Sequence, residues 1–317
     1  MNNLNIQHNR SGAALLMILG VIATLAILLT SSLSIIGMRI KVVNYKNNMF
    51  KARMITKSVQ TFSGYVLMTD SNEYDSLDDI WADSPELFAG QYDENSSWSI
   101  IGRISENSIT NFGFIDEQSK LNIKSAPFRV LRRFFEYTAG LDSEDAFMLA
   151  ASVEQTRIEN MIAYSNTFQS IYELLYVPEM NQETFDSIEN LITVYGNGKL
   201  NINTVNKNVL LALIASDANL KTSESFVEKL LIFRNQGNII KAKNGKKMKE
   251  AVESAILLTK QEIGIVDNIY TNLTSTSSIY KGDLYIDIDG NTQKNTFIVN
   301  KENGKIISSL TLVDDEL

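Results

Sequence analysis

The feature that most constrains this chain is a long apolar run near its start. Ala13–Met38 contains no charged residue, and the nearest charges are Arg10 before it and Arg39 after it. A helix of this length extends about 39 Å, and the hydrocarbon core of a bilayer is about 30 Å thick. The run can therefore cross a membrane as one helix.

Three interpretations of this run compete. A secretory signal peptide has a shorter apolar region with a small-residue cleavage site after it, and an ordinary signal anchor fits the hydropathy alone. The third interpretation depends on the polar residues Asn9-Arg10-Ser11-Gly12 just upstream. This junction resembles a type IV pilin-like (prepilin) leader, which implies that a membrane peptidase cuts after Gly12 and leaves Ala13 as the mature N-terminus. Most such proteins have Glu at the fifth mature position, where this chain has Met17.

The composition excludes several kinds of chemistry. The chain has no cysteine, and its one histidine, His8, lies in the leader. Disulfides, thiol nucleophiles, Ser-His-Asp triads and His-ligated zinc are therefore not expected in the mature protein. No Walker or Rossmann glycine pattern occurs. The net charge of −8 argues against broad binding of nucleic acid or anionic lipid by the folded part.

The apolar run is predicted to continue as a stem helix. No proline occurs before Pro85, so one helix is expected from about Ala13 to about Met68. Four apolar residues at spacings of four, three and four predict its packed face: Ile55, Val59, Phe62 and Val66. Positive charge is heavier after the run than before it, so the positive-inside rule alone would leave the folded part in the cytoplasm. The leader resemblance implies the opposite orientation.

The strands are expected at both ends of the folded part. Thr69–Ser97 is acidic and rich in turns, which predicts a surface connection with a short helix and with Trp81 and Leu87 as anchors. Its acidic residues lack the spacing of a calcium loop. Two strands are predicted as a hairpin at Trp98–Ile104 and Ile109–Ile115. The end of the chain predicts a strand meander: Leu284–Ile288, Thr296–Asn300 and Lys305–Val313.

An internal repeat marks the middle of the chain. Lys120–Leu131 aligns without gaps on Lys199–Leu210, and both copies begin Lys-Leu-Asn-Ile. Each copy predicts a short strand, then Ser125 or Thr204 as a helix N-cap, then an amphipathic helix.

Helices are expected between and after the two copies. Asp142 is predicted to cap a helix that reaches about Asn160, and Ser170–Glu173 has capping-box spacing. Leu174–Met180 and Gln182–Val194 then resemble a helix-hairpin-helix, which lacks the Gly and Lys of DNA-binding examples and is expected to pack rather than to bind DNA. After the second copy the expected elements are three helices and a basic turn: Val209–Ile214, Ser225–Arg234, Met248–Ile256 and, as the turn, Lys241–Lys249.

The order of these features resembles the K-type minor pseudopilin of type II secretion (general secretion pathway protein K). Members of that family lack the Glu at the fifth mature position, as Met17 does here. The residues that carry the resemblance inside the chain are Asp116, Leu121, Asn122, Ile123, Leu174, Pro178, Tyr195, Gly196, Leu200, Asn201, Ile202 and Asn203.

The resemblance implies an α+β fold, in which a long N-terminal membrane and stem helix precedes a pilin-like antiparallel sheet with a large α-helical domain inserted in it. The implied ranges are 1–12 for the cleaved leader, 13–38 for the transmembrane half of the helix, 39–68 for the periplasmic stem, 69–125 for the β part, 126–196 for the helical insert, 197–278 for the second strand-helix junction with its helices, and 279–317 for the last strands.

The resemblance also implies a function. The family is thought to cap the tip of the secretion pseudopilus, without catalysis, with its I- and J-type partners. Further implied partners are the major pseudopilin, the prepilin peptidase and the inner membrane, in which a single-pass protein would hold its folded part in the periplasm. Ala13 would be N-methylated. Many members have a calcium-associated Asp-rich stretch after the Ala139–Ala151 region. Ser152–Tyr164 here has only two acidic residues, so the metal site is not carried over and no cofactor is expected; calcium binding stays open but has no support in the sequence.

Two other functions remain open from the sequence. The first is a minor pilin of a type IV pilus or DNA-uptake filament, which has the same kind of leader. The second is a membrane-anchored hydrolase that uses paired carboxylates, which are among the acid-base groups that the composition leaves available.

Overall fold

The computed structural model describes residues 8–104, 110–215, 219–242 and 245–313. By its internal packing the chain forms two units, residues 1–55 and 56–317. The described α-helices are α1 (His8–Thr69), α2 (Pro85–Phe88), α3 (Phe128–Thr138), α4 (Ser143–Tyr164), α5 (Gln182–Ile188), α6 (Lys207–Ala215), α7 (Leu220–Asn235), α8 (Gly245–Ala255) and α9 (Lys260–Ile269). The described strands are β1 (Ala89–Asp93), β2 (Ser96–Ile104), β3 (Thr110–Phe112), β4 (Ile115–Asp116), β5 (Leu121–Asn122), β6 (Ile192–Thr193), β7 (Leu200–Asn201), β8 (Leu273–Thr274), β9 (Ile279–Ile288), β10 (Asn291–Asn300) and β11 (Ile306–Val313).

The long helix expected from the sequence is present as α1, which begins before the apolar run and ends at Thr69. Its packed face differs from the predicted one. Val59, Ser63 and Leu67 are buried, whereas Phe62 is exposed and Val66 is only partly covered. The reason is a close backbone approach, because a Cβ added at Gly64 would lie 2.2 Å from the carbonyl oxygen of Gly304. The helix therefore turns Ser63 and Gly64 inward, with Gly64 against the turn between β10 and β11, and the bulky Phe62 lies on the exposed side.

The main sheet is antiparallel and has the order β1-β2-β9-β10-β11, with β3 paired to β2 and β4 paired to β9. Its buried face includes Leu284, Phe297 and Val299. The end of α1 packs on this sheet, where Gln60 Nε2 donates to Asn295 Oδ1 at 3.1 Å and to Ser309 Oγ at 2.9 Å. The three predicted C-terminal strands are confirmed, and the first two are longer than expected.

The N-terminal strands differ from the prediction in detail. The hairpin of β2 and β3 is present, and Ile109 lies outside the described residues. Strand β1 falls in the segment predicted as a connection, because an edge strand of sequence Ala-Gly-Gln-Tyr-Asp has no apolar alternation to reveal it. Trp81 is buried as expected, but Phe88 rather than Leu87 is the second fully buried anchor.

The helical part consists of two copies of one structural unit. In the first copy β5 pairs in parallel with β6, and in the second β7 pairs in parallel with β8. Each copy ends with a short α-helix, a 3-10 turn and a last strand, which we call the closing strand and which is β6 in the first copy and β8 in the second. The 3-10 turns are Glu189–Leu191 and Tyr270–Asn272. The twelve-residue sequence repeat therefore marks a longer structural repeat. One hydrophobic core, running in sequence from Leu121 to Leu273, unites both copies.

Several predicted boundaries in the helical part were wrong. Ser125 and Thr204 are not N-caps, because the chain makes a turn after each asparagine of Leu-Asn-Ile, and α3 and α6 begin only at Phe128 and Lys207. The helix predicted at 182–194 ends at Ile188, and the chain continues as the 3-10 turn Glu189–Leu191 and then as strand β6.

The remaining differences concern helix starts. Asp142 caps α4 as predicted, and the capping box of Ser170 and Glu173 is present, but it opens a 3-10 helix, Ile171–Tyr176. Part of the predicted basic turn belongs to α8. Helix α9 was missed although Thr259 and Glu262 form a capping box at its start.

Candidate functional site

The apolar half of α1 is the first candidate site. Within the described residues, α1 from Gly12 onward is long and apolar enough to cross a membrane by length and composition. The two threonine hydroxyl groups of this apolar half are satisfied inside the helix, since Thr24 Oγ1 donates to the carbonyl oxygen of Val21 at 2.9 Å and Thr30 Oγ1 donates to that of Ala26 at 3.0 Å. A hydrocarbon environment requires such internal hydrogen bonding.

The predicted processing residues lie at the start of this apolar stretch. Gly12 and Ala13 are exposed within α1, and among the residues that the structure describes nothing outside the adjoining helix backbone lies within 4 Å of a Cβ placed at Gly12. Met17 is 75% exposed. The structure therefore leaves both predicted processing residues and the apolar side chain of Met17 uncovered.

A buried polar cluster around Asp116 is the second candidate site. Asp116 lies at the end of β4 and is 1% exposed. Its Oδ2 accepts hydrogen bonds from Asn201 Nδ2 at 3.1 Å, Thr204 Oγ1 at 2.5 Å and Ser277 Oγ at 2.6 Å. Its Oδ1 accepts one from the backbone N–H of Gln118 at 2.7 Å. The carboxyl group therefore joins the sheet to the second helical repeat and to the segment that follows β8.

The electrostatics of this cluster follow from burial. Desolvation raises the pKa of Asp116 from 3.8 to about 6, and the hydrogen bonds from Ser277, Thr204 and Gln118 oppose that rise. The nearby carboxylate of Asp75 adds to it. Burial also raises the pKa of Tyr280 well above its ordinary value.

Asp75 extends the cluster toward the surface. Its carboxylate accepts the backbone N–H of Ser277 at 2.6 Å and the ammonium group of Lys301 at 2.5 Å, and Lys301 also donates to Asp70 at 2.8 Å. The two carboxylates raise the pKa of Lys301 against the opposing effect of its burial. A buried charge paired in this way has a large effect on stability when one partner is removed.

The two asparagines of the repeat, Asn122 and Asn201, make one equivalent hydrogen bond each and differ in the partner of the other. In each copy the Asn Oδ1 accepts the backbone N–H two residues on, which is Lys124 N at 2.9 Å for Asn122 and Asn203 N at 3.0 Å for Asn201. Their amide groups differ in partner. Asn122 Nδ2 donates to the carbonyl oxygen of Tyr195 at 2.8 Å, whereas Asn201 Nδ2 donates to Asp116. The asparagine of the first copy therefore bonds within that copy, whereas the asparagine of the second copy bonds to Asp116 in the main sheet.

The structure brings some of the other predicted residues to these turns. Asn203 exchanges two hydrogen bonds with the backbone of Ile240, at 3.0 and 2.9 Å. Gly196 has a φ of 85°, in the region that favours glycine, next to Tyr195. The apolar members of both Leu-Asn-Ile segments are buried in the helical core: Leu121, Ile123, Leu200 and Ile202.

Leu174 and Pro178 lie in a different part of the fold. Leu174 is fully buried in the helical core, and Pro178 is exposed in a turn closed by the hydrogen bond from Met180 N to the carbonyl oxygen of Val177, at 3.2 Å. They support the helical unit and do not contribute to the Asp116 cluster.

Sequence reasoning missed several residues of the cluster. Ser277 and Lys301 meet Asp75 from more than 200 positions away in sequence. No local pattern marks such polar contacts in advance. Thr204 was predicted to be an N-cap, but its hydroxyl group donates a hydrogen bond to Asp116 instead.

Arg157 is a further residue that sequence reasoning missed. It is 7% exposed, and its guanidinium donates to the carbonyl oxygens of Ile123 at 2.7 Å and Ala126 at 2.8 Å, in the turn of the first repeat. Glu154 lies 2.8 Å from it as the counter-charge. Burial lowers the pKa of Arg157. The segment 152–164, compared above with an Asp-rich calcium stretch, thus contributes a buried cation to this turn.

No metal cluster is found in the described ranges. Within residues 8–104, 110–215, 219–242 and 245–313, no group of three or more His, Cys, Asp or Glu side chains could hold a metal ion. The donors around Asp116 are protein hydroxyl, amide and backbone N–H groups, which makes the cluster a connection between parts of the fold.

Comparisons with known proteins agree with this architecture. No family model matches the sequence, and no curated protein matches it significantly. One chain of the crystal structure of the GspK-GspI-GspJ complex from the enterotoxigenic Escherichia coli Type 2 Secretion System matches with a TM-score of 0.60 and 12% identity, over 85% of this chain and 99% of that chain. At this identity the likeness shows a shared fold. The predicted α+β fold, with its long N-terminal helix, antiparallel sheet and helical insert, is confirmed.

Proposed function

We propose that this protein is a non-catalytic minor pseudopilin of the K type, which lies at the tip of a type II secretion pseudopilus and helps to initiate or cap its assembly. It is anchored in the inner membrane by Ala13–Met38 and holds its folded unit in the periplasm. Its partners are the I- and J-type minor pseudopilins, the major pseudopilin and the prepilin peptidase.

The observation that carries this proposal is the fold itself. The structural match extends over 99% of the neighbouring chain, and so includes the helical part as well as the sheet. A function assigned from fold needs support from specific sites. Met17 at the fifth mature position supplies it, since the resembled K-type proteins lack Glu there.

The buried cluster fits a structural subunit. A bulky helical part can block the addition of another subunit above it only if it is held in a fixed position on the sheet. Asp116 makes that connection through Asn201, Thr204 and Ser277. Buried polar networks that are fully hydrogen-bonded make a fold rigid.

Maturation gives a first test. Gly12→Ala should block cleavage, so that the protein extracted from membranes keeps its full-length mass, whereas the unchanged protein should have the mass of Ala13–Leu317 plus one methyl group. Gly37→Ala, in the same helix and also in open space, is the matched control and should be processed normally. A mature-sized Gly12→Ala product, or a full-length mass for the unchanged protein, would refute the leader interpretation.

Deletion of the gene gives the functional test. Substrates of the type II system should then accumulate in the periplasm, while twitching and DNA uptake stay normal. Loss of DNA uptake with normal secretion would instead assign the protein to a type IV pilus or DNA-uptake filament.

A further inference from the structure

The charges of α1 are distributed unevenly along the chain. All 37 Asp and Glu residues of the protein lie after Thr69, so α1 contains no acidic residue. Directly after the apolar run come three basic residues within eight positions: Arg39, Lys41 and Lys46. We call these three residues the basic collar. A cationic collar on a chain of net charge −8 is a local feature that the overall charge conceals.

The collar residues are exposed on two opposite faces of the helix. Arg39, Lys41 and Lys46 are each exposed, and α1 is continuous through them. At about 100° per residue, Arg39 and Lys46 lie on one face and Lys41 lies on the opposite face. Tyr45, 58% exposed, lies beside them, and tyrosine is enriched at membrane interfaces.

The reach of the collar matches the polar layer of a bilayer. At about 1.5 Å per residue, Lys46 lies about 12 Å beyond Met38, the end of the apolar run. The headgroup layer on one side of a bilayer is about 5–8 Å thick, and the Debye length at physiological salt is about 8 Å. The collar thus lies within the field of the headgroups, whereas Arg53, about 22 Å beyond Met38, lies outside it.

We propose that the basic collar binds the headgroups of anionic phospholipids around the membrane-spanning helix. This inference rests on the membrane anchoring in the proposed function, and it adds a ligand class that the function does not require. Its occupant is the lipid surface because the collar continues directly from the membrane-spanning residues and is opposite in charge to anionic headgroups. Attraction between the collar and the headgroups fixes the depth of α1 in the bilayer.

Lipid binding also gives a physical reason for the distribution of positive charge. Cations that follow a spanning helix are normally a cytoplasmic signal. A headgroup-binding collar accounts for such cations on either side of a membrane whose leaflet is anionic.

The test uses the full-length chain inserted in vesicles. Since the protein has no cysteine, Asn44→Cys introduces one thiol for a fluorescent dye inside the collar. Quenching of the dye by spin-labelled phosphatidylglycerol is compared with quenching by spin-labelled phosphatidylcholine at equal mole fraction. Phosphatidylglycerol should be preferred, and high salt should weaken the preference.

Two charge-matched variants identify the residues responsible. The collar variant is Arg39→Gln/Lys41→Gln/Lys46→Gln, and the control is Arg53→Gln/Lys57→Gln/Lys221→Gln, all at exposed positions. The collar variant should lose the preference, by up to about fivefold for each charge removed, and the control should keep it.

The outcomes separate the inference from the function on which it rests. Equal quenching by both lipids in the unchanged protein would overturn the proposal that the collar binds anionic lipid. An equal preference for phosphatidylglycerol in the collar variant and the control variant would also overturn it. If the collar variant keeps its preference for phosphatidylglycerol but no longer assembles with partner subunits, the cations serve protein contacts and the lipid role is wrong. Insertion is measured separately, as the fraction of protein that stays with the vesicles after an alkaline carbonate wash. If the wash removes the unchanged protein from the vesicles, both the membrane anchor and the lipid-binding collar are refuted.

Discussion

Asp116→Asn is the substitution that tests the buried cluster most sharply. The side chain is 1% exposed, and its pKa is raised from 3.8 to about 6 chiefly by desolvation. Because the folded-state pKa is the higher one, the folded protein binds the proton more tightly than the unfolded chain does. The contribution of Asp116 to the free energy of unfolding therefore falls as the pH rises from about 4 to about 6, and it is lost above that range.

The size of the effect follows from the two pKa values. At about 1.4 kcal/mol per pH unit, the difference between 3.8 and about 6 corresponds to about 3 kcal/mol. Asparagine has nearly the same shape and does not titrate. Its amide nitrogen, however, would face a donor in either orientation, Asn201 Nδ2 or the backbone N–H of Gln118, and this mismatch costs about 1–3 kcal/mol at every pH. Because the unfolded carboxyl, with a pKa of 3.8, is already more than half ionised at pH 4, the difference in unfolding free energy between the two proteins should change by about 2 kcal/mol between pH 4 and pH 7.

Urea unfolding of the full-length protein in detergent measures this difference. The fluorescence of Trp81 is a suitable signal, since its ring is buried and lies 4.8 Å from that of Tyr280, centroid to centroid. Asp78→Asn, at an exposed carboxylate, is the control and should leave the pH dependence unchanged. If Asp116→Asn and the unchanged protein differ by the same amount at pH 4 and pH 7, the desolvation argument is refuted.

Three further substitutions test the packing. Lys301→Met should destabilise the folded unit by about 3–5 kcal/mol in urea unfolding, because buried Asp75 loses its cation, and a double variant with Asp75→Asn should recover most of the loss. Gly64→Ala should lower the melting temperature, because its Cβ would meet a backbone carbonyl oxygen at 2.2 Å. Gly264→Ala, in open helical space, is the control and should stabilise by about 1 kcal/mol. Equal melting temperatures for the two variants would contradict the close approach at Gly64. Arg157→Met should speed hydrogen exchange in the turn that the guanidinium holds, and Arg157→Lys should restore protection only in part, since lysine lacks the planar fork; unchanged exchange in both would exclude this role.

The sequence was most informative where one feature dominated a segment. The uncharged run and the absence of proline predicted α1, and alternating residues with glycine turns predicted the C-terminal strands. Both signals are local, so neighbouring residues are sufficient to detect them. The duplicated Lys-Leu-Asn-Ile segments indicated a repeat, although not its full extent, because the helices and closing strands of the two copies share structure with little sequence in common.

The sequence was least informative where contacts join distant segments. Phe62 was expected in the packed face of α1, and the approach of Gly64 to Gly304, which determines that face, could not be read from the helix alone. In the same way, the partners of Asp116 come from three separate parts of the chain. The burial that raises its pKa is a property of the assembled fold, and Asp116 itself was named only through the family resemblance.

The proposal that this chain is the K-type subunit of a tip complex is tested most directly by its assembly with partners. The full-length protein is co-expressed with the I- and J-type minor pseudopilins of the same secretion system, extracted in mild detergent and weighed by native mass spectrometry. The account predicts a complex that contains one copy of each of the three proteins. Recovery of the I- and J-type proteins bound to each other, with this folded chain absent, would contradict it.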